Sequence, residues 1–271
     1  MPRNKLLVVG HVARDVVKTK TGGSEFWGGA GYHVAMAAAL FLEKNQVLIF
    51  ANAGYDFDAK LMENEGVDVH KLIINNELET DRHFVDESGE ERTYVGVGGL
   101  SDQIDLSSIE EVIGEVAWIH LASSPPAQQM RWLDQLEKHR NGEITFSADT
   151  FDTFAREIPN EVRTVFKRCD WAMVNNSEWD GVKVDDLGIN IVKKLGGDGA
   201  QIYHGKDLAV ETGCSGSVDV ADTTGAGEVV AGVFIANKLL GKSNEESLRM
   251  AVEMATKSVT DFGTDHLRVR G

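Results

Sequence analysis

Cysteine is close to absent from this chain, and several motifs that would name a chemistry at once are missing altogether. The two cysteines, Cys169 and Cys214, stand far apart with no Cys-x-x-Cys pair or Cys/His cluster around them. Neither a zinc site nor a disulfide framework is indicated, and reduced thiols are expected. Basic charge is also short: 27 Lys and Arg face 43 Asp and Glu, for a formal net charge of -16. Such a surface repels a phosphate backbone, so no nucleic acid partner is expected. No apolar run approaches the roughly 18 residues that span a bilayer, and no charged-then-apolar N-terminal stretch precedes a small-residue cleavage site. No membrane partner is expected, and the expected location is cytoplasmic. The eight histidines show no His-x-x-x-His spacing, no Gly-x-x-x-x-Gly-Lys-Ser/Thr loop occurs, and Gly10 is not followed by Gly-x-Gly-x-x-Gly. A histidine metal centre and a Walker-type nucleotide site are thereby set aside, and an NAD-dependent Rossmann enzyme is weakened as a reading.

What is present is a rhythm. Lys5–Gly10 is a short apolar run closing on glycine, and similar runs recur at Gln46–Ala51, Val116–Leu121, Ile144–Ser147 and Trp171–Val174. Helical stretches such as 29–44 and 127–140 lie between them. Strands alternating with helices predict a doubly wound, mainly parallel sheet with helices on both faces. With 42% hydrophobic residues, no long Pro/Ser-rich linker and no repeat, the chain reads as a single α/β domain over 1–271. Two regions break the rhythm, about 12–27 and 69–99, where charged residues alternate with β formers and Asp86–Glu90 resembles a hairpin turn. They predict a small β lid, a device that excludes water from a reacting centre. Residues 217–220 also look β-like. The C-terminal quarter is helical, with an apolar stripe over Val229–Leu240 and a capping-box start at Ser243–Glu246 for a helix reaching Phe262 and Gly263.

The segment that carries chemistry is Asp222-Thr-Thr-Gly-Ala-Gly-Glu228, just before the striped helix. Small residues at Gly225, Ala226 and Gly227 let backbone amides approach an anion at a helix N-terminus. Glu228, one position on, sets a carboxylate beside that anion hole, where a general base for a hydroxyl is needed. Taken alone, such a turn is as often a good helix start as a catalytic one. The segment, however, resembles the C-terminal signature Asp-Thr-x-Gly-Ala-Gly-Asp of the ribokinase (PfkB) carbohydrate kinases, with Glu228 in place of the last Asp. A longer carboxylate shifts the base by about one methylene, and small misplacements cost rate.

Other segments fall in the family's order. Gly28-Gly29-Ala30-Gly31-Tyr32-His33 resembles the N-terminal di-glycine signature, with His33 for the usual Asn. Asp15 stands where the family has its substrate-binding acid, and a carboxylate suits a polyol because it accepts from two hydroxyls. Asn175-Asn-Ser-Glu178 resembles the Asn-x-x-Glu element, and Lys194-Leu-Gly196-Gly-Asp-Gly199 the glycine-containing nucleotide strand and turn. Gly54-Tyr-Asp56 matches a segment assigned to folding and lid placement. The resemblance implies a ribokinase-like fold and ATP-dependent transfer of the γ-phosphate to a hydroxyl of a sugar, cyclitol or nucleoside. It implies Glu228 as base with Gly225, Ala226 and Gly227 as anion hole. Asp15, Gly28, Gly29 and His33 are expected on the acceptor, and Asn175, Glu178, Lys194, Gly196, Gly199, Asp222 and Thr223 on the nucleotide.

Mg²⁺ is expected to arrive with ATP, and the resemblance also allows a monovalent cation near Asp222 and Thr224. The β segments can equally be read as an edge hairpin or a dimer contact, which leaves a homodimer through the β lid open. Ala13 and Ala30 replace two polar residues of ribokinase proper, which argues against ribose, while Tyr32 resembles an inositol-kinase-like branch. A second reading stays open: a kinase-fold protein weakened by Glu228 and His33 that binds nucleotide or polyol for a regulatory purpose.

Overall fold

Lys5–Val9 is buried beyond its first residue and forms β1 at the centre of the sheet. Leu6 and Val8 point into one core, Leu7 and Val9 into another. That is why the run is continuous rather than alternating: a parallel strand covered by helices on both sides has no solvent face. The computed structural model describes residues 3–20, 22–89, 93–214 and 216–268.

After β1 come β2 (Ala13–Lys18), β3 (Gly23–Gly28), α1 (Ala30–Ala39) and β4 (Val47–Gly54). There follow α2 (Lys60–Asn64), β5 (Val67–Asp68), β6 (Leu72–Asn75), β7 (Arg82–Asp86) and β8 (Thr93–Val97). The middle of the chain supplies β9 (Val116–Leu121), α3 (Pro126–Leu136), β10 (Thr145–Asp149), α4 (Asp152–Glu157), α5 (Pro159–Phe166), β11 (Trp171–Asn175) and α6 (Asn176–Val182). Last are β12 (Asn190–Lys194), β13 (Ala200–His204), β14 (Asp207–Thr212), α7 (Ala226–Leu239) and α8 (Asn244–Ser258).

The large sheet runs β14-β13-β12-β11-β10-β9-β1-β4-β5, with β6 also on β4. From β12 to β5 the pairs are parallel, and only β13 and β14 are antiparallel additions. Helices α1, α7 and α8 cover one face, α3 and α5 the other. All ten residues of α1 are buried, and a side chain at Gly232 of α7 would begin 2.4 Å from the Val34 carbonyl oxygen of α1. The two helices touch backbone to backbone. This is the expected ribokinase-like α/β architecture.

A separate four-stranded sheet, β3-β2-β7-β8, stands beside the main one. Both predicted lid regions contribute to it, because β2 pairs parallel with β7. The second region is narrower than expected. Leu72–Asn75 pairs with β4 at the edge of the main sheet, so the lid strands begin only at Arg82. Asp56 and Thr80 explain the switch: Asp56 Oδ1 accepts from the Thr80 N–H at 2.8 Å and from its hydroxyl at 2.7 Å, while Thr80 Oγ1 accepts from the Gly54 N–H at 2.9 Å. The match at Gly54–Asp56 is a clamp that turns the chain from one sheet to the other. In the expected turn at Asp86–Glu90, Asp86 Oδ1 accepts from the Ser88 N–H at 2.8 Å, and Glu90 lies outside the described residues.

Two expectations are corrected. Residues 217–220 form no strand; they reach the glycine turn without a ladder partner. Helix α8 keeps its capping box, Ser243 with Glu246, but stops at Ser258 rather than Phe262, and Gly263 instead packs on the ring of Phe26 in β3.

Candidate active site

In parallel sheets of this kind, loops at the carboxyl ends of the strands meet over a crevice. Here β10, β11 and β12 end in Asp149, Asn175 and Lys194, the glycine turn opens α7 beside them, and His83, Val85 and Tyr94 of the four-stranded sheet border the far end. Together they line a cleft of ≈ 630 Å³.

The acceptor end is organised by Asp15. Its side chain leaves β2 opposite Phe26 and is 2% exposed. Oδ2 accepts from the Gly29 N–H at 3.2 Å and faces His33 Nε2 at 3.2 Å, while Oδ1 faces His83 Nδ1 at 3.0 Å. Burial alone would raise the Asp15 pKa. Hydrogen bonds from His33 and His83 outweigh it and hold the carboxyl well below the usual carboxylate range. The other ring nitrogen of His33, Nδ1, lies 3.1 Å from Thr264 Oγ1. His33 therefore orients Asp15 as much as it lines the cleft. The di-glycine is equally explained: a side chain at Gly28 would begin 1.9 Å from Asp15 Oδ2, and Gly29 has φ +90, a left-handed conformation that starts α1 under the carboxylate. His11 completes the cluster, its Nε2 accepting from the Ala30 N–H at 3.3 Å; burial, then His83, pushes its pKa down to about 3.

At the other end Lys194 is the hub. Its Nζ lies 2.9 Å and 3.1 Å from the Asp149 oxygens, and a side chain at Gly227 would begin 3.3 Å from it. Burial works against the Lys194 charge, but Asp149, Glu178 and Glu228 prevail and raise its pKa. Three carboxylates share this one cation. Burial, opposed by Lys194, pushes Glu178 up to about 8 and Asp149 up to about 6, with Asp149 adding to the first and Glu228 to the second. Glu178 is fixed by a reciprocal capping box: its N–H donates to Asn175 Oδ1 at 2.9 Å and its Oε2 accepts from the Asn175 N–H at 2.7 Å.

The glycine turn joins the two ends. Gly225 has φ +81, and a side chain there would begin 3.0 Å from the His33 ring. Gly227 and Glu228 lie in the first turn of α7, where no i−4 carbonyl exists for their N–H groups. The Ala226 N–H is turned back onto the Thr223 carbonyl at 3.3 Å, so it is not free as expected. Thr223 Oγ1 donates to Glu87 Oε1 of the lid at 3.0 Å.

Of the predicted residues, Asp15, Gly29, His33, Asn175, Glu178, Lys194, Gly196, Thr223, Gly225, Ala226, Gly227 and Glu228 share the cleft lining. Gly28, Gly199 and Asp222 do not. A side chain at Gly199 would begin 2.0 Å from the Thr212 carbonyl oxygen, which makes it a hairpin residue, and Asp222 is buried with its oxygens accepting from the N–H groups of Thr224 at 2.9 Å and Gly263 at 3.2 Å. Tyr32, read as a sign of the acceptor, is a core residue at 1% exposure. Asp149, His11, His83 and Gln128 were missed. Asp149 carried a signal, an acid closing an apolar strand run; the others depend on pairings between distant segments.

With this geometry in view, likeness to known proteins becomes decisive. The model of the pfkB family carbohydrate kinases matches residues 3–269. The chain belongs to the pfkB carbohydrate kinase family. Adenosine kinase of Saccharomyces cerevisiae is 25% identical, over 88% of this chain and 79% of its own length. Cytidine kinase of Thermococcus kodakarensis is 24% identical, over 95% and 97%. Among solved structures, ribokinase from Cryptococcus neoformans in complex with ADP superposes with a TM-score of 0.79 at 20% identity, covering 97% of this chain and 96% of that one. Burkholderia thailandensis nucleoside kinase in complex with inosine gives 0.81 at 15% identity, covering 96% and 92%. As a pfkB kinase the chain is a small-molecule kinase that uses ATP. No helix among the described residues is long and apolar enough to cross a membrane.

Proposed function

We propose that this pfkB kinase moves the γ-phosphate of ATP to a hydroxyl anchored by Asp15, with Glu228 as general base. The observation that carries the reading is the single cleft. It sets an ionised, histidine-held carboxylate at one end, a lysine and a glycine-rich helix start at the other, and the half-buried Glu228 on the lining with both. Asp15 retains acceptor capacity on Oδ1 for a hydroxyl. Glu228 takes the proton of that hydroxyl as the oxygen attacks phosphorus, and the N–H groups of Gly227 and Glu228 with Lys194 Nζ meet the charge on the transferring group. The lid excludes water, and its link to the turn through Thr223 and Glu87 closes it over the phosphates.

The surplus of carboxylates over cations around Lys194 suits Mg²⁺ brought with ATP: Asp149 and Glu178 are the residues that would hold it, largely through phosphate and water, and it would supply charge neutralisation. No cluster of three or more His, Cys, Asp or Glu among the described residues forms a resident metal site. Thr224 Oγ1 is buried without a hydrogen-bond partner beside Asp222, which fits a monovalent cation ligand. The outer lid face exposes the cross-strand pair Phe84 and Val95, a surface that a second copy of the chain would cover, and a cytoplasmic location is part of the same proposal.

Acceptor-dependent release of ADP across a panel of sugars, cyclitols and nucleosides tests the function. If no acceptor raises ADP release above that with Mg²⁺-ATP alone, the protein is a binder and not a kinase.

A further inference from the structure

We infer that the acceptor end of the cleft takes a nucleoside whose base carries an exocyclic amino group, and that Gln128 selects it. This rests on the kinase reading of the site and specifies which acceptor fills it.

Gln128 stands in the first turn of α3, lines the cleft and is 2% exposed. Its Nε2 donates to the Ser101 carbonyl oxygen. A carbonyl can only accept, so this bond fixes which side of the amide is nitrogen and leaves the oxygen on the other. Gln128 Oε1 is buried and has no hydrogen-bond partner among the described residues. A buried acceptor left unmet is costly, and a ligand that brings a donor removes that cost. Asp102, also in the lining, adds a carboxylate that can only accept, and among the described lining residues Lys194, at the opposite end, is the sole Lys or Arg. This end of the cleft therefore favours ligands that donate and disfavours those that present another oxygen.

The shape of the donor follows from the rings nearby. Tyr94 of the lid lies 5.2 Å from the His83 ring and 5.0 Å from Phe151, which lies 6.2 Å from Phe154. This row of rings bridges lid and main sheet along the cleft wall. It offers stacking to a flat heteroaromatic ring, a π–π contact that a free sugar or cyclitol cannot make. A flat ring that donates from an exocyclic amino group, and so sets no base oxygen beside Gln128 Oε1 and Asp102, joined to a polyol that reaches Asp15, is an amino-nucleoside.

The test uses matched pairs in which an exocyclic amino group is exchanged for an oxo group, with the neighbouring ring nitrogen changing from acceptor to N–H donor: adenosine with inosine and cytidine with uridine, plus ribose and inositol as base-free acceptors. Binding is measured by titration calorimetry and transfer by ADP release. The amino member of each pair is expected to be favoured about 10- to 100-fold in Kd and in kcat/KM. Gln128→Met, checked for folding by its thermal midpoint, is expected to bring each pair to within about threefold. Equal use of amino and oxo members by the unaltered protein overturns the inference without any variant. So does tighter binding of ribose or inositol, or a preference that survives Gln128→Met. Selective binding of adenosine and cytidine without ADP release supports Gln128 and removes the kinase reading; brisk ADP release with ribose but no amino preference does the opposite.

Discussion

Lys194 Nζ lies 2.9 Å from Asp149 Oδ2, although the two residues are 45 positions apart and leave different strands, β12 and β10. Around this pair the site holds more negative than positive charge. Removing the cation leaves buried carboxylates unmet, so Lys194→Met is expected to destabilise the fold by about 3 kcal/mol at pH 8. At pH 5, where Asp149 and Glu178 take up protons instead, the loss should be much smaller. Denaturant titrations at the two pH values check this, and equal losses at both would show that Lys194 acts by packing.

Glu228→Gln is expected to lower kcat by about 10²–10⁴-fold while leaving the KM for ATP nearly unchanged. Glu228→Asp separates a matched long carboxylate, in which case the rate falls, from a weakened one, in which case it rises. Steady-state kinetics with the acceptor found in the panel reads both. A Gln variant with full turnover sends the search for a base elsewhere.

Asp15→Asn should raise the acceptor KM by more than about tenfold and leave ATP binding intact, because the residue touches only the acceptor end. Its effect on stability has a defined sign. The folded carboxyl is held below its ordinary value of 3.8, so it contributes stability above that pH which is lost as pH falls through the folded value. The gap between wild type and variant in thermal melts should thus be full at pH 7 and shrink below about pH 4. A gap that widened in acid would contradict the hydrogen bonds drawn from His33 and His83.

Glu178 has the opposite sign. Its folded pKa is pushed up to about 8 from 4.5, so the folded state is favoured while it is protonated, and that advantage is lost as pH rises through 8. Glu178→Gln should therefore raise Tm by about 2–4 °C at pH 8.5 and change it little at pH 5. It should also weaken Mg²⁺-ATP binding. A variant less stable at both pH values would mean that the capping bond to the Asn175 N–H outweighs the charge.

Mg²⁺-ATP should slow amide exchange over 225–228, the first turn of α7, and leave the amides near Gly10 unprotected. Exchange mass spectrometry decides it. Protection confined to residues near Gly10 would favour a dinucleotide-binding reading instead.

The main sheet and its helices were legible because each buried strand, such as Lys5–Val9 or Val116–Leu121, is a short local apolar run, and local runs are what a sequence displays. The glycine turn and Asp15 were legible through family resemblance, since neither carries a distinctive pattern alone. The switch at Thr80 was not, because Leu72–Asn75 alternates as a lid strand would and its assignment to β4 depends on Asp56. Nor was the His11–His33–His83 cluster, whose members meet only when β2 and β7 pair in register, Asp15 opposite His83. The inward turn of Asp222 was illegible for a related reason: its place in a motif does not show that its oxygens accept from the N–H groups of Thr224 and Gly263.

The His33 ring, 3.0 Å from where a Gly225 side chain would start, has a consequence for protein engineering. The seven-residue turn is not a portable module. Grafted onto another α/β scaffold, it would bring the helix start but not the imidazole that abuts its glycine and grips the acceptor carboxylate. Residue libraries that vary the acceptor side at position 33 will likewise alter the room available to the phosphate turn. Positions 33 and 225 should be randomised as a pair, with the largest rings at 33 tolerated only while 225 stays glycine.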